Sequence, residues 1–320
     1  MLITHLVLTL APLCPGLTQE DVAANTPWIV RTQSTAGWWK GDDSVGQAAT
    51  TALTLFSFIG DGSFPSAGPY RESVARGASW LLRQQDPKSG SFGGELESET
   101  DLLSHAWCTL AVSEIGTLDP AWDGSEVRDK ATAALLLAQR GDGSFGTARA
   151  TVWAAYALVA AREGGATVPP AALLRARRAL AAVIPTEGDA AHLDAGKVAL
   201  RCLIGFMVPE PATADGPGSV TDTQASDALS KILQVPDLFP ALDPESRMLV
   251  AYAAFQCGGE TWVHAQREIK RVLLPMQIRQ RGENHGGFPT ERGFGAARAT
   301  AFGVLSIEVY FRYARVLGAR

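Results

Sequence analysis

Two short acidic groupings are the first residues whose types and spacing could do chemistry. One is Asp42 with Asp43; the other is Glu97, Glu99 and Asp101 at alternate positions. A carboxylic acid kept neutral by burial and by neighbouring carboxylates can act as a strong proton donor. Both groupings precede apolar, helix-like stretches, where carboxylates are also favoured as ordinary partners of a helix N-terminus. That structural role is the expected one; Asp42, Asp43, Glu99 and Asp101 remain the candidate acids. Asp189, His192 and Asp194 are the one close set of acid and imidazole groups, but three ligands without a fourth make a weak zinc site. No metal and no cofactor is expected. Of four cysteines (Cys14, Cys108, Cys202, Cys257), none forms a Cys-x-x-Cys pair. The last three lie in apolar stretches, where a buried free thiol is the expected state.

The elements that would position these groups announce themselves as a repeat. A glutamine, a glycine turn and an aromatic recur as Gln33, Gly37 and Trp38-Trp39; Gln85, Gly90 and Phe92; Gln139, Gly143 and Phe145; and, more loosely, Gln280, Gly286 and Phe288. A small-residue, apolar segment follows each one. Such segments begin near Gly46, Ser104, Thr151, Gly196, Ser246 and Arg298, in steps of 45 to 58 residues, room for two helices and two turns. Two further copies of the phrase are not recognisable. The turn is read as structural: glycine adopts the left-handed conformation that ends a helix, glutamine bonds the turn's backbone, and the aromatic packs between hairpins.

Two kinds of helix alternate. From Tyr70 to Gln84 the apolar or small residues Tyr70, Val74, Gly77, Ala78, Leu81 and Leu82 fall on one face, with Arg71, Glu72, Arg76 and Arg83 on the other. Residues 48–59, 104–112, 151–160 and 198–208 are nearly uncharged, as buried helices are. The chain opens with an amphipathic segment, about residues 20–33, and closes with an apolar one, about 299–316. Pairing the two would close a circle of about six helical hairpins, whereas an open array would carry polar end caps. The expected fold is therefore all-α, an α/α-toroid over residues 19–320.

Of 320 residues, 46% are hydrophobic and 19% charged, which excludes a disordered chain. The net charge is −5 with no long basic run, so nucleic acid is not an expected partner. Arg175, Arg177 and Arg178 read as a solvated helix face. Residues 1–18 resemble a secretory signal peptide, although they contain neither Lys nor Arg. Processing would place the protein outside the cytoplasm; otherwise it is cytoplasmic. No segment reaches the roughly 20 apolar residues of a transmembrane span.

Gln139 to Phe145 resembles the QW motif of squalene–hopene and oxidosqualene cyclases, with Phe for Trp. Trp39 to Asp43, ahead of the helix from Gln47, resembles the segment before an inner helix in those enzymes. Over about residues 27–317 the chain resembles the squalene cyclase C-terminal domain and the prenyltransferase and squalene oxidase repeat family, many of them bacterial. The resemblance implies a ring whose cavity Trp38, Trp39, Phe56, His105 and Trp107 could line. It also implies motifs this chain lacks: the Asp-x-Asp-Asp of class II cyclases and the Asp-x-Cys zinc pair of prenyltransferases. Cys257, Gly258, Gly259 and Glu260 approach the thioester order seen on similar rings, without its glutamine. The resulting expectation is a non-catalytic or divergent ring that binds an isoprenoid-like molecule or a partner protein. The alternatives are a divergent class II terpenoid cyclase, and an (α/α)6 glycosidase or polysaccharide lyase, which would need two carboxylates about 5–10 Å apart.

Overall fold

A computed structural model describes residues 26–42, 46–209 and 222–316, with side chains to residue 309. Among these residues there are 13 α-helices and no strand. In chain order they are α1 (Thr26–Thr32), α2 (Gln47–Gly60), α3 (Arg71–Leu82), α4 (Glu99–Leu118), α5 (Ser125–Leu137), α6 (Ala148–Glu163), α7 (Pro170–Val183), α8 (Ala195–Met207), α9 (Thr223–Ile232), α10 (Leu238–Ala241), α11 (Pro244–Cys257), α12 (Gly259–Met276) and α13 (Ala296–Val316).

The two expected kinds of helix are present. In α2 every residue from Ala49 to Gly60 is buried. In α3 only the stripe Ser73, Val74, Gly77, Ala78 and Leu81 is buried, as an amphipathic helix requires. The buried set is α2, α4, α6, α8, α11 and α13. Each packs on the next, and α13 packs on α2 as well as on α11. The amphipathic α3, α5, α7, α9 and α12 each lie against two successive members of that set. Four of the buried helices start at a side-chain cap. Ser98, Thr147, Asp194 and Asp243 accept the free N–H groups of Asp101, Ala150, Lys197 and Ser246.

The repeated turn is a double staple. The Gln33 Nε2 donates to the Gly37 carbonyl (2.8 Å) and to the Ser73 carbonyl (2.9 Å). Gln85 does the same with Gly90 and Val127, at 2.9 and 2.8 Å. Gln139 repeats it with Gly143 and Ala172, at 2.9 and 2.8 Å. One carbonyl belongs to the glutamine's own turn; the other is always that of the third residue of the next amphipathic helix. The glycine is required twice over. Its φ is positive at Gly37, Gly90 and Gly143. A Cβ there would also lie 2.5–2.7 Å from the main-chain oxygen of Arg76, Lys130 or Arg175, the sixth residue of that same next helix. The aromatic is wholly buried in each turn. Its N–H is taken by a side chain on the following buried helix: Thr51 for Trp39, His105 for Phe92, Thr151 for Phe145 and Thr300 for Phe288.

In the fourth turn the ladder corrects the sequence register. Ser34, Asp86, Arg140 and Ile278 each donate N–H to the residue just before the aromatic. The glutamine ahead of Ile278 is the buried Gln277, whereas Gln280 is exposed. This turn lies against α1. Gly287 lies against the indole of Trp28, third in α1, and Arg31, sixth in α1, donates to the His285 carbonyl at 2.7 Å. Of the expected first helix, residues 20–25 lie outside the described residues.

Where the glutamine phrase is missing, arginines on the buried helices bond backbone carbonyls instead. Arg201 of α8 bonds the Ile184 carbonyl after α7 (2.6 Å) and Asp222 ahead of α9 (2.6 Å). Arg247 of α11 bonds the Phe239 and Pro240 carbonyls of α10 and, bidentately, Glu291. Arg177 departs from the solvated face expected for it: it is buried and donates to the Val208 carbonyl.

Replacing Gln139 by Ala strands two carbonyls and should cost about 1–3 kcal/mol. Gln277→Ala should also destabilise, while Gln280→Ala should stay within about 0.5 kcal/mol. Urea denaturation midpoints measure all three, and equal losses at 277 and 280 would refute the register.

Candidate functional site

Candidate acids lie where buried helices begin, and the described ones, Asp42, Glu99 and Asp101, are engaged there. Asp42 receives the Arg298 Nε at 2.6 Å and the Gly295 N–H at 2.9 Å, across 256 and 253 residues of chain. The Arg298 guanidinium lies 4.6 Å over the Phe294 ring. Glu99 accepts the Thr147 hydroxyl at 2.7 Å. Asp101 accepts the Ser98 hydroxyl at 2.6 Å while its own N–H returns to Ser98, a reciprocal cap. Asp43 lies outside the described residues. Glu99 and Asp101 therefore lie in the first turn of α4, while Asp42 is bound to Gly295 and Arg298 at the start of α13.

A second carboxylate, Glu245 at the head of α11, is buried and forms a paired fork with Arg149 of α6. It also accepts the Trp153 indole N–H at 2.9 Å. Burial alone would lower the Arg149 pKa; Glu245 beside it, with Glu99 and Asp243 beyond, more than reverses this and raises it. Arg149 stands 5.7 Å from the centre of the Trp107 ring. Below it an aromatic cluster joins four helices. Trp107 of α4 meets Trp153 of α6 edge-on at 5.8 Å and Phe302 of α13 at 6.1 Å. Tyr156 stacks on Trp153 at 6.1 Å and meets Phe56 of α2 at 6.0 Å. Trp107, Trp153, Phe56 and Phe302 are essentially inaccessible.

Of the residues expected to line a cavity, Phe56 and Trp107 belong to this cluster. Trp39 is wholly buried in the first turn, its indole N–H bonded to the Ile29 carbonyl at 2.7 Å. Trp38 is half-buried beside it. His105 has both ring nitrogens engaged: Nδ1 accepts from Phe92 N–H (3.0 Å), and Nε2 faces the Ala131 carbonyl (2.9 Å). That pairing makes Nε2 the protonated nitrogen. Protonating Nδ1 would set two N–H groups against each other. Desolvation accordingly lowers the pKa from 6.5 to about 4, the Ala131 carbonyl opposing only in part.

Asp189 and His192 pair at 3.2 Å on an exposed turn, and Asp194 caps α8. Among the described residues no group of three or more His, Cys, Asp or Glu could hold a metal. Cys257 ends α11, and Gly258, at φ 68°, terminates it.

What sequence reasoning missed is the Glu245–Arg149 pair and its companion, Arg247–Glu291. Their signal was present as charge inside segments otherwise free of it: Arg149, Arg201, Glu245, Arg247, Arg298 and the wholly buried Glu308 all sit on the buried helices. In both pairs the carboxylate oxygens are taken up by an arginine fork. No protein-family model and no curated protein sequence matches the chain. Among the described residues no helix is long and apolar enough to cross a membrane.

Two measurements follow. Arg149→Met leaves Glu245 buried without its partner and should cost about 3 kcal/mol, most of it recovered when Glu245→Gln is added. A denaturation-based double-mutant cycle that shows no coupling would refute the pairing. For His105 the unfolded chain binds a proton between pH 6.5 and 4 that the folded chain does not. Its contribution is intact above pH 6.5 and falls by about 3 kcal/mol on descent to pH 4. His105→Thr copies the residue found at the other three turns and should flatten this part of the stability–pH curve.

Proposed function

We propose that the chain is a closed α/α-toroid of six helical hairpins, of the squalene cyclase and prenyltransferase kind, and that it serves as a binding ring rather than a catalyst. Closure is supported by the packing of α13 on both α11 and α2. It is supported also by the fourth turn, which meets the side chains of Trp28 and Arg31 on α1. A binding role is carried by one observation: each described carboxylate proposed as an acid is taken up by an arginine, a hydroxyl or a helix N-terminus. Class II cyclisation needs the opposite, an acid held neutral.

Aromatic side chains from four buried helices meet where an enclosed ligand would lie. This favours a partner protein over an isoprenoid-like molecule as the occupant. A second reading, a divergent terpenoid cyclase, draws on the same cluster, because aromatic faces beside Glu245 could stabilise a carbocation.

Incubation of the folded protein with squalene and with geranylgeranyl diphosphate, followed by gas chromatography, should return unchanged substrate. Cyclic product that disappears in Glu245→Gln would replace the binding reading with the cyclase one. Native mass spectrometry against squalene, polyprenyl diphosphates and hopanoids separates the occupants. A retained lipid would replace the protein partner with an isoprenoid-like ligand.

A further inference from the structure

The first glutamine turn has a groove beside it. Val30 of α1, Pro69 and Tyr70 ahead of α3, and Arg71, Glu72 and Arg76 on α3 line a space of about 420 Å³. That size suits a small organic ligand. Its rim is set by backbone: Phe64 donates N–H to the Ala67 carbonyl at 2.8 Å, and a Cβ on Gly68, at φ 92°, would lie 2.6 Å from the Gly62 oxygen. Arg76 is held in place by the staple. Its Nη2 donates to the Gln33 Oε1 at 2.6 Å, the oxygen that also takes the Ser73 hydroxyl. A guanidinium has five N–H groups, so four remain for another acceptor. The side chain of Arg71 forms no hydrogen bond or ion pair among the described residues.

The next two glutamine turns show what is particular to this one. The first, third and sixth residues of the helix that follows are Arg71, Ser73 and Arg76 here. They are Ser125, Val127 and Lys130 in α5, and Pro170, Ala172 and Arg175 in α7. The third residue supplies the stapled carbonyl each time, and the sixth is each time a cation. Only the first turn adds a second guanidinium, and the staple does not use it. In α5 the cation is further neutralised by Glu126, which pairs with Lys130 at 2.8 Å. Glu72, at the same position in α3, forms no such pair with Arg76.

We propose that this groove binds a small organic oxyanion, a carboxylate or a phosphate monoester. Its charge would meet Arg71 and Arg76, and its apolar part would meet Val30, Pro69 and Tyr70. The guanidinium fork matches either headgroup. The apolar wall favours an organic anion over an inorganic one. Glu72 borders the same space and opposes the charge, but two guanidiniums outweigh one carboxylate. The site shares no residue with the aromatic cluster, so it stands whether or not the ring takes a protein partner.

The test titrates the full chain with phenyl phosphate, benzoate and benzyl alcohol by isothermal calorimetry at low ionic strength. The two anions should bind at a single site, the tighter one identifying the headgroup, and benzyl alcohol should not bind. Arg71→Ala should weaken binding by about tenfold or more at unchanged Tm, because the Arg71 side chain holds nothing else in the fold. Glu72→Gln should tighten it. Arg83→Ala, an exposed cation just beyond the far end of α3, should bind as the wild type does. An absence of saturable binding, benzyl alcohol binding as tightly as the anions, or equal losses in Arg71→Ala and Arg83→Ala would each overturn the site. A Glu72→Gln protein that binds no tighter would place the anion elsewhere.

Discussion

The glutamine carboxamide that spans two hairpins sets the spacing of this fold. A turn wedged between helices hides main-chain carbonyls from water, and each needs a donor. One Nε2 carries two protons, enough to satisfy a carbonyl of its own turn and one at the start of the next amphipathic helix. Its Oε1 stays available as an acceptor. At Gln33 it takes the Ser73 hydroxyl and Arg76, and at Gln139 it takes Arg175. With both carbonyls fixed, the next helix comes so close that only glycine fits beneath it. The aromatic then drops into the core, and its N–H must be met by the following helix. A threonine or a histidine does this equally well. Glutamine, glycine, aromatic and acceptor are thus consequences of one separation between hairpins.

Where the carboxamide is absent, the same carbonyls still need donors, and a guanidinium has five to offer. Arg201 and Arg247 reach out from the buried helices to do this work. A buried guanidinium must itself be neutralised, which brings in Asp222 and Glu291. Several charges on the buried helices are therefore secondary effects of backbone satisfaction. The Asp42–Arg298 pair follows the same pattern, Arg298 also donating to the Gly293 carbonyl. This origin accounts for charged side chains on helices that are otherwise apolar.

The legibility of the sequence follows from which of these interactions are local. Gln33, Gln85 and Gln139 stand four or five residues from their glycines, so a spacing search finds them. The fourth turn is longer, from Gln277 to Gly286, and the same search stops at the nearer Gln280. Only the hydrogen-bond ladder, which counts from the aromatic backwards, separates the two. His105 illustrates a different blindness. A residue type suggests chemistry, whereas its position is that of Thr51, Thr151 and Thr300, an acceptor for one N–H. The paired charges were hidden by distance along the chain, 96 residues for Arg149 and Glu245. Their trace was charge in helices that should have carried none.

In the proposed ring the seam between α13 and α2 is the one junction the chain does not make by continuing. Bringing segments some 250 residues apart together costs loop entropy that grows only logarithmically, so a few good contacts suffice. Those contacts are Trp28 on Gly287, Arg31 on the His285 carbonyl, and Asp42 with Arg298, beside the helix packing itself. They involve the third and sixth residues of α1, Trp28 and Arg31, through their side chains. A closed seam lets every hairpin bury two flanks, which an open array denies to its ends. The seam should therefore differ from the other junctions in order of formation, since it alone must wait for both ends of the chain.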